Sequence, residues 1–288
     1  MFYTVMLNPT LEYHMQVDET TLEGVHQGKN PHFLVNGFGL QASKVFSDLG
    51  ELNIMLGFCG GTVGDKIIRI LDRRGIHNEF VTVSKESMVN VILHGKKSAA
   101  FVAPAMEITD SDFHSLLGQL TVLTSRDTAL LIDSGICIGQ NNAELQMAKI
   151  VRSVGSTFVY CSEAQQLDQA VLALGPQCAI CRTADTKDLF EVCNFLLGKG
   201  AKTAAVIAPE AICLANAHKC VWLPVQKENF CSTEQFAAGL CSSKAKTIEE
   251  QLCHACACAL HHSEEEITVA YMEKFLKEHL HLVQARLG

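Results

Sequence analysis

The sequence predicts a doubly wound α/β domain: a mostly parallel sheet, helices on both faces, and a small antiparallel β lid. Three observations lead there. Short apolar runs rich in β-formers alternate with helical periodicity through the middle and C-terminal half. The helices have readable starts and stops, a capping residue before and a glycine after. Two stretches, "EYHMQVDETTLEGVHQG" and "SMVNVILHGKKSAAFVAP", break the alternation with a period of two and no helix between their halves.

The runs "YTVML" and "LNIMLGF" read as strands. Helical periodicity covers Ala42–Leu49, stopped by Gly50, and Asp65–Arg74, stopped by Gly75. Thr109 and Asp112 stand at capping-box spacing, and "ALLIDSG" then reads as a buried strand. An asparagine-capped helix over "NNAELQMAKIVRSVG", the strand "STFVYCS" and a helix opened by Ser162 with Gln165 follow. "QCAICR", "KDLFEVCNFLLGKG" and "AKTAAVIAP" continue as strand, helix and strand. Thr247 with Glu250 caps "TIEEQLCHACACAL", and "VAYMEKFLKEHLHLVQ" reads as a terminal helix. The lid falls at about residues 12–35 and 87–103.

The chain has 288 residues, 48% hydrophobic and 19% charged, which suits one globular core. It shows no repeat, low-complexity tract or proline-rich linker, so residues 1–288 are read as a single domain. A net charge of -8 without a basic tract speaks against nucleic acid, and no uncharged apolar run is long enough to span a membrane. The first residues lack the basic region and small-residue cleavage site of a secretory leader. Thirteen cysteines without such a leader point to a reducing cytoplasm, where they act mostly as small buried hydrophobes. In "CHACACALHH" (Cys253–His262), His254, Cys258 and His262 are spaced i, i+4, but no second paired C-x-x-C accompanies them. The plain reading is a tightly packed helix; a metal- or redox-responsive helix is the sharper one.

Four motifs occur in order: "YTVMLNPTLEY", "GFCGGTVGD" (Gly57–Asp65), "APAMEIT" and "NFCSTEQFAAGL" (Asn229–Leu240). With the order of elements, they resemble the PfkB, or ribokinase-like, carbohydrate kinases along nearly the whole chain, in the 1-phosphofructokinase and tagatose-6-phosphate kinase branch. The matching family motifs are T-x-L-N-P-A-L-D, G-F-x-G-G-x-x-G-D, G-P-G-P-x-I-S and G-A-G-D. The resemblance implies a ribokinase-like fold, a sugar or sugar-phosphate ligand, ATP with Mg²⁺ if the protein is active, and a homodimer formed through the lid.

Carried over residue by residue, the resemblance puts "NGFGLQ" on the substrate loop G-G-K-G-x-N. Gly37 and Gly39 remain, but Phe38 stands at the lysine and Gln41 at the asparagine. In "SMVNV", Met88 replaces the arginine of the family's T-R-x-N-V strand while Asn90 stays. Glu12 stands at the carboxylate that bonds sugar hydroxyls. On the nucleotide side, Thr183 of "CRT" and Ala208 and Pro209 of "IAPEA" replace K-P-N and S-L-G-x-x-G. At the transfer centre, Cys231, Ser232 and Thr233 fall at G-A-G, the anion-hole position, and Glu234 at the aspartate that acts as base. Ser232 and Gln235 have the spacing of a capping box.

A phosphate dianion needs charge-assisted donors, and neither Phe38 nor Met88 supplies one. On that ground the chain is expected to be a homologue with weakened or absent transfer, acting as a ligand- or partner-binding protein. The alternative is an active ATP-dependent phosphotransferase on a carbohydrate hydroxyl, with an altered substrate and Glu234 still serving as base.

Overall fold

The computed structural model describes residues 1–18, 24–133, 149–160, 172, 175–226, 232–261 and 266–287. The main sheet contains β1 (Phe2–Met6), β4 (Asn53–Gly60), β5 (Asn78–Val83), β8 (Ala129–Asp133), β9 (Ser156–Tyr160), β10 (Cys178–Arg182), β11 (Thr203–Ile207), β12 (Ala211–Asn216), β13 (Lys219–Pro224) and β14 (Gln284–Leu287). Its order is β14-β13-β12-β11-β10-β9-β8-β1-β4-β5. From β11 to β5 all neighbours pair in parallel, and β12, β13 and β14 add an antiparallel edge.

The lid is a second sheet of β2 (Thr10–Gln16), β3 (Lys29–Asn36), β6 (Met88–His94) and β7 (Ala99–Phe101), in the order β3-β2-β6-β7. Its position agrees with the sequence, but the expected all-antiparallel pairing needs one correction. The pairs β2–β3 and β6–β7 are antiparallel, whereas β2 and β6 run parallel. The two hairpins belong to separate excursions of the chain that leave the body in the same direction, so their inner strands meet side by side.

Helices α1 (Phe38–Asp48), α2 (Gly61–Arg73), α3 (Asp110–Leu123), α4 (Leu189–Gly198), α5 (Thr233–Ser242), α6 (Ile248–Leu260) and α7 (Val269–His279) complete the described elements. Two of the capping boxes read from the sequence are present: Thr109 with Asp112 opens α3, and Thr247 with Glu250 opens α6. Helices α1 and α2 begin about a turn earlier than their periodicity suggested, because glycines occupy their first turns and read as loop. The terminal helix stops at His279, and β14 then pairs with β13, covering an edge that would otherwise stay open. The asparagine cap before residue 149 and the box at Ser162 and Gln165 lie outside the described residues.

Apolar side chains fill both faces of the main sheet. Phe113, Leu116, Leu117 and Leu120 of α3 and Leu189, Cys193 and Leu196 of α4 cover one face. Helices α1, α5, α6 and α7 cover the other through Val45, Phe46, Phe236, Leu252 and Phe275. A third cluster (Met6, Leu11, Val35, Leu40, Ile67 and Leu71) joins the lid base to α1 and α2.

Helices α5 and α6 approach closely. A Cβ on Gly239 would stand 2.8 Å from Cys258 Cβ and 3.1 Å from Ala255 Cα. Cys258 and Ala255 of "CHACACAL" face Gly239 across this seam, and Cys253, Cys256 and Ala257 of the same helix are buried as well. Burial pushes the Cys253 thiol up to about 11 and the Cys258 thiol up to about 12. Among the described residues, no group of three or more His, Cys, Asp or Glu is arranged to hold a metal. Gly239→Ala therefore overpacks the seam, with an expected loss of about 1–3 kcal/mol in chemical denaturation.

Candidate functional site

The carboxyl edge of a doubly wound sheet collects ligands where the strand order reverses. Here that point is β1, flanked by β4 on one side and β8 on the other. Two helix N-termini and one face of the lid meet this edge.

Helix α1 opens at Gly37, directly after β3. Gly37 has φ 147°, and a Cβ there would run into the Met6 side chain at the end of β1. The sequence-predicted loop thus keeps the close backbone approach that its glycines suggested. The Gly37 N–H donates to Asn36 Oδ1 at 2.7 Å. Phe38 is the first residue of α1, Gly39 is buried beside Thr4, and Gln41 is half-buried. Lys44 pairs with Asp48 along the helix at 3.2 Å.

On the lid, directly opposed residues share a face, so Glu12, Leu34 and Asn90 project together. Glu12 is gripped on both oxygens. Asn36 Nδ2 donates to Oε1 at 2.8 Å, and His14 Nε2 lies 3.0 Å from Oε2. His14 Nδ1 in turn lies 2.9 Å from His94 Nε2, and the His14 ring stacks on those of His32 and His94. Asn90 Oδ1 accepts the Ala103 N–H at 3.0 Å, which ties β6 to the segment after β7. Met88 is half-buried opposite Thr10. The structure therefore brings Glu12 and Asn90 together.

Helix α5 provides the second N-terminus. The Ser232 side chain accepts the Gln235 N–H at 3.3 Å, but the expected reciprocal box does not close. The Ser232 N–H donates instead to Ala259 O at 3.1 Å, near the end of α6. Glu234 sits in the first turn, and Ser232 Oγ donates to its Oε2 at 3.1 Å. Burial pushes the Glu234 carboxyl above its ordinary range, against the opposing pull of the Ser232 bond, its own N–H and Arg182. Arg182 closes β10, and its Nη1 donates to Thr233 Oγ1 at 3.2 Å. Cys231 lies outside the described residues.

Thr183 follows Arg182, and its N–H donates to Ile207 O at 3.0 Å. Ala208 and Pro209 form the turn between β11 and β12, closed by the Ala208 N–H to Ala211 O at 2.9 Å. The strand pairing β10–β11 thus carries Thr183, Ala208 and Pro209 on the same edge as Arg182. A cleft at the opposite edge, lined by Ser43, Ser47, Asn53 and His77, shares no residue with this site.

Sequence reasoning passed over two residues. Arg182 stood in plain view inside "CRT", but only the fold sets it beside Thr233 and Glu234. Glu86 accepts the Val63 N–H at 2.6 Å and so caps α2 across the "CGGT" turn. No local pattern links residues that far apart in the chain.

No family model matches this chain. Part of it is 32% identical over 136 residues to 1-phosphofructokinase of Borreliella burgdorferi, covering 46% of this chain and 44% of the relative. It is 24% identical over 179 residues to tagatose-6-phosphate kinase of Staphylococcus epidermidis, covering 60% of this chain and 56% of the relative. The sequence matches thus span about half the length of these relatives. The fold matches phosphofructokinase-2 of Escherichia coli in complex with fructose-6-phosphate, with TM-score 0.77 at 16% identity over 96% of this chain and 98% of that one. The tetrameric inhibited form of the same enzyme gives TM-score 0.80 at 17% identity, again over 96% and 98%.

Because the folded pKa of Glu234 is raised, its ionisation opposes folding at neutral pH, and that penalty fades as pH falls through the ordinary carboxylate range. Glu234→Gln should raise the melting temperature at pH 7–8. The gain should disappear toward pH 4, as thermal scans across pH would reveal.

Proposed function

We propose that this chain, a PfkB-type homologue of the 1-phosphofructokinase and tagatose-6-phosphate kinase branch, is an ATP-dependent phosphotransferase acting on a sugar-phosphate hydroxyl. One observation carries the reading: a half-buried carboxyl stands in the first turn of α5, with Ser232 Oγ on its Oε2, Arg182 bonded to the neighbouring Thr233, and its pKa pushed up by burial. A general base works best when its pKa approaches the operating pH, and burial moves Glu234 in that direction.

In this reading Glu234 accepts the proton of the attacking hydroxyl, and Ser232 orients it. Arg182, steadied by Thr233, faces the charge on the transferring phosphoryl, as a guanidinium can. Glu12 and Asn90 bind sugar hydroxyls from the lid. Thr183, Ala208 and Pro209 border the nucleotide. The described residues include no metal cage of three or more His, Cys, Asp or Glu. Mg²⁺ would arrive with the nucleotide phosphates and neutralise part of their charge. The reading keeps the sequence-based assignment of Glu234 and sets aside the expectation of a silent centre. The strongest support for silence is that Ser232 spends its side chain and its N–H inside the fold.

The lid also supports a homodimer. Val89, Phe101 and Val102 are exposed, and β3 and β7 present open edges. Phosphofructokinase-2 has a tetrameric form.

With ATP and fructose-1-phosphate, fructose-6-phosphate or tagatose-6-phosphate, ADP release should be detectable. Glu234→Gln should lower kcat about 10²–10⁴-fold. A wild-type protein silent on all three sugars, or a variant as fast as wild type, would remove the proposal. Phe101→Asp should convert a dimer into a monomer in sedimentation. A monomeric wild type would remove the lid interface.

A further inference from the structure

Three cysteines unrelated to the site above form a row beneath α4. Cys193 Sγ lies 3.5 Å from Cys213 Sγ of β12, which lies 3.1 Å from Cys220 Sγ of β13. Cys193 and Cys213 are buried, while Cys220 is half-exposed. On the paired strands Cys213 faces Trp222 and Cys220 faces Ala215, so the two thiols are diagonal neighbours on one face. The row thus leads from solvent to the helix–sheet interface.

We infer that Cys220 and Cys213 are a redox modification site that forms an intrachain disulfide on exposure to a peroxide. The Cys220 thiolate attacks the peroxide, the O–O bond breaks, and the released oxygen leaves as water. The resulting sulfenic acid is attacked by Cys213 Sγ, the S–S bond forms, and a second water departs. Two thiols lose two electrons and two protons, and the peroxide is reduced to water.

The sulfurs must close by about 1 Å to reach bonding distance. Diagonal cross-strand neighbours sit farther apart than opposed ones, so closure tightens the hairpin. A bond under such strain is readily reduced again, as suits a reversible site. Hydrogen bonding within the row, together with burial, holds both thiols above their ordinary range, whereas Arg286, directly opposite Cys220, favours its thiolate. The reaction should therefore be slow at neutral pH and faster as pH rises.

The site reports on itself. Trp222 is the chain's single tryptophan, and it packs edge-on against Phe190 of α4 beside Cys213. The turn carrying Ala208 and Pro209 begins β12, and the Glu210 N–H in that turn donates to Thr186 Oγ1 at 3.3 Å. Closing the bond would pull on the hairpin that bears this turn.

The test treats the reduced full chain with hydrogen peroxide between pH 7 and 9, blocks free thiols, and maps peptides by mass. The expected result is a linked peptide pair containing Cys213 and Cys220, short of two hydrogens. Trp222 emission should fall in parallel and recover with dithiothreitol. Cys220→Ser should abolish both signals, and Cys193→Ser should leave the link in place. Free, alkylatable Cys213 and Cys220 after peroxide treatment that has oxidised other cysteines would overturn the inference. So would a link that survives Cys220→Ser or requires Cys193. These readouts need no kinase activity, so they stand or fall separately from the proposed function.

Discussion

The seam between α5 and α6 sets where the candidate chemistry can occur. Gly239 lets the helices close to backbone contact, and His254 Nδ1 lies 2.9 Å from Gly239 O at the same crossing. Burial pulls the His254 pKa down, so the neutral ring prevails there and its Nδ1–H donates to the carbonyl. At the site end, the Ser232 N–H holds α6 through Ala259 O. Glu234 is two residues from that anchor. In the proposed reading this packing sets the position of the carboxylate, and displacement of a catalytic group by about 1 Å can cost 10²-fold in rate.

The same geometry makes the carboxylate costly. A glutamate drawn into the fold resists ionisation, and Ser232 and Arg182 offset only part of that resistance. In the proposed reading, this is the cost expected of a group kept for function and not for stability. On the lid, Glu12 shows the opposite arrangement. Asn36 and His14 engage its two oxygens and hold its position. One carboxylate is tuned by burial, the other oriented by partners.

Much of this was legible from the residues. Local rules sufficed for the capping boxes at Thr109 and Thr247, because donor and acceptor lie three residues apart. The lid was legible as two period-two excursions. Relations set by tertiary pairing were not legible. The parallel β2–β6 seam, the return of β14 to β13, and the cap that Glu86 supplies to α2 join residues that no local pattern connects. The Ser232–Gln235 spacing misled for the same reason, since a carbonyl on α6 takes the N–H that the box requires. Drift at Phe38 and Met88 suggested a silent centre, yet spacing alone could not place Arg182 beside Thr233.

The central claim is that Glu234 accepts the substrate proton from a half-buried position that raises its pKa. Its most direct test is the pH dependence of kcat/KM for phosphoryl transfer from ATP to a fructose phosphate. The account predicts an acid limb whose midpoint lies above the ordinary glutamate value of about 4.3. That midpoint should coincide with the ionisation of Glu234 followed by NMR in the free protein. A rate that stays flat across that limb, or a midpoint unrelated to the Glu234 titration, would contradict it.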